Sequence, residues 1–162
     1  MNNLENREIL SEEILAAMDL IIMNVPDAIF GGSIALNAVG LITRRISDID
    51  LFFNECDSLA KNGFLTCGMI SEVMSDTVTN TNGKPIQRTG TKINNIRVCV
   101  FKVEELELQH SIFEFSGRRI KIQNINVAIQ AKIAYSEKNQ KHQNDLIKIN
   151  DTINELFLYE DI

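Results

Sequence analysis

Two aspartates set two residues apart, Asp48 and Asp50, are well suited by type and spacing to do chemistry. They lie at the start of the apolar run Ile49–Phe53, which predicts a short strand. Alternate residues of a strand point to one face, so both carboxylates would project together while Ile49 enters the core. Two like charges so close are unfavourable unless a cation lies between them, and Mg²⁺ usually binds through one or two carboxylates plus substrate phosphates. The pair predicts a Mg²⁺ site; the alternative is a polar strand end, which fits poorly with the apolar Leu51–Phe53 that follow.

A glycine pair, Gly31-Gly32, stands before Ser33 and upstream of the aspartates. The short apolar run Ala28–Phe30 leads into it, and a helical stretch to about Leu41 follows. Glycine lets the backbone approach a ligand, a helix N-terminus supplies free N–H groups, and the Ser33 hydroxyl can donate to a phosphate oxygen. The three residues predict a phosphate-binding turn, although the motif alone also fits a plain turn. The chain has neither the G-x-x-x-x-G-K-[ST] string of P-loop proteins nor the G-x-G-x-x-G string of dinucleotide-binding folds.

Charge is distributed unevenly along the chain, whose formal net charge is −6. Residues 1–60 carry three cations and ten carboxylates, whereas residues 117–148 carry seven cations and two carboxylates. The first block therefore has a net charge of −7 and the second of +5. This pattern could place metal-binding carboxylates opposite phosphate-binding cations, and ordinary solvated helix faces are the alternative.

The window from residue 29 to residue 53 resembles the signature of the DNA polymerase β-like nucleotidyltransferase superfamily. It has an apolar strand, Gly-Gly-Ser, an amphipathic helix, a turn with Arg44 and Arg45, and then Asp48-Ile49-Asp50-Leu51. Fourteen residues separate Ser33 from Asp48, which is slightly longer than the family spacing. Within the superfamily the chain is most similar to small bacterial nucleotidyltransferases of the abortive-infection and minimal nucleotidyltransferase (MNT) types.

A second window, residues 128–149, resembles the C-terminal elements of the abortive-infection type. Lys132 matches a lysine on one helix, and Lys141-His142 with Asp145-Leu146 matches a basic-x-x-Asp-Leu element on the next. Taken alone, this window also fits two surface helices of mixed charge.

The resemblance implies a role for each matched residue. Gly31, Gly32 and Ser33 would hold the nucleotide phosphates, and Asp48 and Asp50 would bind Mg²⁺ and be catalytic. Lys132 would be catalytic through a triphosphate contact, and Arg44, Arg45 and Lys141 would bind the nucleotide. Asp145, also counted as catalytic, would orient a basic neighbour or assist proton movement.

The sequence departs from the family at the third catalytic carboxylate, which lies on a later strand. The matching run here is Ile96–Phe101, with Cys99 where an aspartate is expected. Glu104 or Glu114 could substitute, or the site could use two carboxylates and one metal. Cys99 also fits the role of a small residue buried in a core strand.

Two functions are therefore open. The first is a Mg²⁺-dependent nucleotidyltransferase that moves a nucleoside monophosphate from a nucleoside triphosphate (NTP), ATP among the candidates, to a hydroxyl of an RNA such as a tRNA end, a protein or a small molecule. The second is a catalytically silent module of the same fold that binds a nucleotide or a partner protein. The resemblance also permits an antitoxin partner.

The elements that must position these residues follow from periodicity and turn motifs. A helix is expected over 8–24 with Ser11 as its N-cap, and a less regular helix over 57–74. A helix over Val127–Glu137 would begin at an Asn126 cap and turn Val127, Ile129, Ile133 and Ala134 inward. Further strands are expected at Thr77–Asn80, Ile86–Thr89, Ile96–Val103, Ile112–Phe115 and Ile120–Gln123. Turns such as Asn94-Asn95 and Ser116-Gly117 separate them, and a last helix is expected at Gln143–Leu158.

This order predicts an α+β fold, a mixed β-sheet flanked by helices, and the resemblance makes it a nucleotidyltransferase fold with C-terminal helices. The 162 residues favour one domain over 1–162, with a core of about 8–123 and a helical part of about 125–158. Cys56, Cys67 and Cys99 lack the spacing of a zinc site, which fits reduced thiols. The N-terminus has no signal-peptide pattern and no apolar run spans a bilayer, so a cytoplasmic location without a membrane partner is expected.

Overall fold

A computed structural model describes residues 10–53, 70–79, 85–102, 109–135 and 139–160 of the chain. The described helices are α1 (Glu12–Asn24), α2 (Gly32–Ala38), α3 (Ile125–Tyr135) and α4 (Gln140–Glu160). The described strands are β1 (Ile29–Phe30), β2 (Asp48–Phe53), β3 (Ile70–Thr79), β4 (Pro85–Ile93), β5 (Ile96–Lys102), β6 (His110–Phe115) and β7 (Arg118–Gln123). The predicted α+β class, a mixed sheet flanked by helices, is confirmed.

These strands form one sheet in the order β3-β4-β5-β2-β1-β7-β6. The pairs β2–β5 and β1–β7 are parallel, and the other neighbours are antiparallel. The β4–β5 hairpin turns at Asn94-Asn95 and the β6–β7 hairpin at Ser116-Gly117, and all four residues have positive φ. The two-residue hairpin turn whose twist matches that of the flanking strands requires positive φ at both of its central residues. The turn motifs read from the sequence are therefore correct at both hairpins.

Helix α1 has the predicted cap, because the Ser11 hydroxyl accepts a hydrogen bond of 3.2 Å from the Ile14 N–H, and the helix begins at Glu12 rather than at residue 8. Its buried stripe of Ile14, Met18 and Ile21 joins the main core with residues of β2 and β5. A second apolar cluster joins Leu36 of α2 and the loop residue Ile42 to Ala128 of α3 and Ile149 of α4. The two C-terminal helices are thereby fixed against the segment that precedes β2.

Two predictions about the elements are wrong. The expected helix over 57–74 is a strand where it is described, since Ile70–Thr79 pairs with β4; residues 54–69 lie outside the described ranges. Cross-strand pairing here overrides an irregular helical period. The cap of α3 is Asn124, whose side chain accepts from the Asn126 N–H at 2.9 Å, so the helix begins earlier than expected.

The buried face of α3 also differs from the expected one. Ile133 is 56% exposed, whereas Ala128 and Lys132 are buried. Ala134 is exposed as well. Ile129 packs against the second apolar cluster as expected, but in the next turn of the helix Lys132, rather than Ile133, faces the protein interior. The reason lies in the partners that α4 offers to that lysine.

Candidate functional site

The two aspartates of β2 lie on one face of the sheet, as the alternation of a strand requires. Ile49 and Leu51, between and after them, are fully buried in the main core on the other face. Asp48 and Asp50 are half-buried. Strand β2 thus anchors the pair rigidly through its apolar face while leaving the carboxylates open to a ligand.

The turn at Gly31 and Gly32 lies directly against Asp50. The Gly31 N–H donates to the Asp50 carbonyl oxygen at 2.9 Å. Gly32 has φ +55°, and a Cβ there would collide with the Asp50 carboxylate; a Cβ on Gly31 would collide with the Phe52 ring. Both positions therefore require glycine because the backbone passes so close to β2.

Part of the hydrogen-bonding capacity of this turn is already used within the protein. The Gly32 N–H donates to Oε1 of Gln123, a buried residue at the end of β7, at 3.1 Å. Ser33 is buried at the start of α2, and its carbonyl accepts from the Asn37 side chain at 2.7 Å. Sequence reasoning missed Gln123, because only the parallel pairing of β1 with β7 brings it to the turn.

A buried carboxylate, Asp145 of α4, forms the second part of the site and is only 3% exposed. Arg44 donates to both of its oxygens, from Nε at 2.6 Å and from Nη2 at 2.9 Å. Lys132 forms an ion pair with Asp145 Oδ2 at 2.9 Å. The Asn37 side chain accepts from the Arg44 N–H at 3.2 Å, which holds the arginine's backbone in place. Arg44 Nη1 also donates to the Arg45 carbonyl, which fixes the position of the guanidinium. The fixed guanidinium in turn orients Asp145.

Lys132 has a second partner on α4. Its Nζ lies 3.1 Å from Nδ1 of His142. Burial lowers the pKa of Lys132, and the hydrogen bond and charge of Asp145 oppose that effect. Burial also lowers the pKa of His142, with Lys132 as the next cause, which favours the neutral imidazole. The pKa of Asp145 is lowered as well: burial opposes this, but the hydrogen bonds from Arg44 and Lys132 outweigh it.

Asp50 differs from Asp145 in having no such support. No hydrogen bond to its carboxylate is present within the described residues. Burial raises the pKa of Asp50 to about 6; Lys132 opposes the rise, Asp48 adds to it, and Lys141 and Arg97 oppose it. A carboxylate that is partly withdrawn from water and lacks donors in the described residues is unfavourable when charged, so it is a good candidate for a ligand-binding group.

The position of the third carboxylate is occupied by Cys99. Strand β5 pairs with β2 so that Cys99 lies beside Asp50 and Arg97 beside Asp48. Cys99 is buried, and burial raises the pKa of its thiol. Glu114 lies on β6, three strands from β2 and about 14 Å away at the usual strand spacing, whereas Glu104 lies outside the described ranges. No group of three or more His, Cys, Asp or Glu side chains placed to hold a metal ion exists in the described part of the chain.

The structure therefore brings most of the predicted residues to one end of β2. Lys132 and Lys141 act electrostatically on Asp50, and Lys141 Nζ donates to the Ser47 hydroxyl at 3.0 Å, just before β2. Arg45 is exposed. The residues that sequence reasoning did not assign are Asn37, Gln123 and His142. The signal for His142 was its place three residues before Asp145, one helical turn away on the same face.

Comparisons with known proteins give limited information about this chain. No family model matches it, and no curated protein matches it. Among solved structures it is similar to a crystal structure of a candidate nucleotidyltransferase from H. pylori, at 14% identity and a TM-score of 0.42. That similarity covers 76% of this chain and 59% of the other. A likeness this distant assigns neither a family nor an activity. No helix in the described ranges is long and apolar enough to cross a membrane.

Proposed function

We propose that this protein is a nucleotidyltransferase that moves a nucleoside monophosphate from an NTP to an acceptor hydroxyl. In that reaction the acceptor oxygen bonds to the α-phosphorus, the bond between the α-phosphorus and the bridging oxygen breaks, and pyrophosphate and a proton are released. The observation that carries the proposal is the Asp50 carboxylate, which lacks hydrogen-bond donors in the described residues and interacts electrostatically with the buried cation Lys132. A divalent cation and a triphosphate together would satisfy both groups.

The donor set fits Mg²⁺. Asp48 and Asp50 offer hard carboxylate oxygens on one face, and the protein leaves the Asp50 oxygens without other donors in the described ranges. Mg²⁺ is commonly held by one or two carboxylates, with phosphate and water completing its shell. When bound, it would supply positive charge that offsets the negative charge of the phosphates.

Lys132 is the residue best placed to bind the triphosphate. An ammonium has three N–H donors; Asp145 accepts from one and His142 from another. No acceptor for the third is present in the part of the chain that the structure describes, so this N–H can donate to a phosphate oxygen. Lys141, bonded to Ser47, adds a second cation at the same end of β2. Because Arg44 is used to fix Asp145, we assign it a positioning role, and because the Gly31 and Gly32 N–H groups donate within the protein, we leave phosphate contact to the two lysines and Ser33.

The experiment uses α-³²P-labelled NTPs with Mg²⁺, and an unfractionated tRNA mixture and the protein itself as acceptors. We expect label transfer by the wild-type chain and its loss in Asp48→Ala and Asp50→Ala. Asp27→Ala is the matched control, since the Asp27 side chain is 91% exposed and lies outside the site. Undiminished transfer by the Asp48→Ala/Asp50→Ala double variant would contradict the proposal.

One observation favours a second candidate, a nucleotide-binding module without turnover: Cys99 lies where a third carboxylate would act as general base. Calorimetry with an NTP and Mg²⁺, run alongside an assay for pyrophosphate, separates the two candidates, because the module binds the NTP and releases no pyrophosphate. An antitoxin partner and a cytoplasmic location are further proposals that rest on sequence alone.

A further inference from the structure

Lys132 is an unusual lysine, because its ammonium is almost fully withdrawn from water. The residue is 6% exposed and extends from α3 toward α4. A buried ammonium must find acceptors for its N–H groups, since an unpaired one costs free energy. Its flexible four-carbon chain gives no directional preference, so the acceptors decide where the charge lies.

Among the described residues, both acceptors of the Lys132 ammonium lie on one face of α4. Asp145 Oδ2 lies 2.9 Å from Lys132 Nζ, and His142 Nδ1 lies 3.1 Å away. The two residues are three positions apart and therefore neighbours on the helix surface. Arg44 fixes Asp145 from the other side by two hydrogen bonds. Helix α4 thus presents a clamp of one carboxylate oxygen and one imidazole nitrogen.

The contact also defines the chemical state of the imidazole. An ammonium can only donate, so Nδ1 of His142 must accept and its proton must be on Nε2. A protonated imidazole could not accept, and it would place a second positive charge 3.1 Å from the first. The charged groups that act on His142 are Lys132 on α3, Asp145 and Lys141 on α4, and Arg44 before β2.

We propose that His142 is a positioning residue that, together with Asp145, directs the third N–H of Lys132 toward the triphosphate of the nucleotide. This inference rests on the proposed function. Lys132 is the cation that acts most strongly on the Asp50 carboxylate, so the clamped ammonium lies close to the place where Mg²⁺ and phosphate would bind. His142 itself contacts no substrate; it acts through Lys132.

Two substitutions separate the acceptor from the volume of the ring. His142→Asn keeps an acceptor, because the asparagine Oδ1 lies close to the position of Nδ1. His142→Leu fills similar space and has no acceptor. Calorimetry with ATP and Mg²⁺ at pH 8 gives the Kd, and acetic anhydride labelling of Lys132, read by mass spectrometry without nucleotide, reports the freedom of the ammonium.

For His142→Leu we expect a Kd raised about tenfold or more, as for the loss of a hydrogen bond to a charged group, together with faster labelling of Lys132. His142→Asn should stay close to wild type in both measurements. Between pH 8 and pH 5 the affinity of the wild type for ATP should fall as the imidazole is protonated. His142→Asn should lack the part of this decrease that comes from the imidazole.

An equal loss in both variants, or no loss in His142→Leu, would overturn the inference. Labelling of Lys132 that depends on the acceptor, with no ATP binding by any variant, would contradict the proposed function and support the clamp. Urea unfolding of each variant establishes that it is folded, so a failure to bind is read only from folded protein.

Discussion

Replacing Asp50 by asparagine should stabilise the metal-free protein at neutral and alkaline pH. The carboxylate is held at a pKa of about 6 in the folded chain, against an ordinary 3.8, chiefly because it is buried. Asparagine has nearly the same shape and stays neutral. The variant therefore removes the cost of holding a charge in this place and leaves the packing against Gly32 largely intact.

The magnitude follows from the two pKa values. A tenfold change in a protonation equilibrium is worth about 1.4 kcal/mol, so the rise from 3.8 to about 6 corresponds to at most about 3 kcal/mol. The folded state binds the proton more tightly than the unfolded state does, so the stability from this group is full below pH 4 and is lost as the pH rises through 6. The advantage of Asp50→Asn should be small at pH 4 and approach its limit above pH 7.

The assay is urea unfolding of both chains in EDTA at pH values from 4 to 8. At pH 8 the variant should also melt about 6–12 °C higher if the full 3 kcal/mol is realised. Comparison of the two chains is necessary because Asp145 and Asp19, whose pKa values are lowered, stabilise the fold at neutral pH and lose that effect in acid. Asp27→Asn is the control for loss of an exposed charge.

A difference between the chains that does not change with pH would refute this reasoning, as would an advantage of the variant over the wild type that is smaller at pH 8 than at pH 4. Either result would mean that the protein satisfies the Asp50 carboxylate internally, and Asp50 would then have no need of a cation.

Two further changes test other parts of the site by urea unfolding. Asp145→Asn should lower the free energy of unfolding by about 3–5 kcal/mol, because it breaks a buried ion pair. Adding Lys132→Met to this variant should recover part of the lost stability. A further, additive loss in the double variant would show that the two residues are not coupled. Gly32→Ala should destabilise the protein more than Gly40→Ala does. Both glycines have positive φ, which costs an alanine about 1–2 kcal/mol, but only a Cβ at Gly32 would also collide with Asp50. Equal effects would contradict the close packing of the turn on that carboxylate.

Local rules were sufficient to predict the elements around β2. The Asp-x-Asp alternation, the Ser11 cap and the Asn94-Asn95 turn each depend on residues close in sequence, and the structure has all three. The first half of the strand Ile70–Thr79 was assigned to a helix, because the local sequence suggests an irregular helical period and the pairing with β4 overrides it.

The burial of Lys132 could not be read from α3 alone. A helical stripe of isoleucine normally faces the core, and Lys132 takes that place only because Asp145 and His142 of the next helix compensate its charge. Gln123 was missed for a similar reason, since it reaches Gly32 through sheet order rather than through sequence proximity.

The central claim is that Asp50 and Lys132 together form a site for an NTP and a divalent cation. Its most direct test is calorimetric titration of ATP into the wild-type chain with and without Mg²⁺, repeated with Asp50→Asn and Lys132→Met. We predict saturable binding by the wild type that requires Mg²⁺ and is lost in both variants. Binding that is independent of Mg²⁺, or unchanged in Asp50→Asn, would contradict the claim.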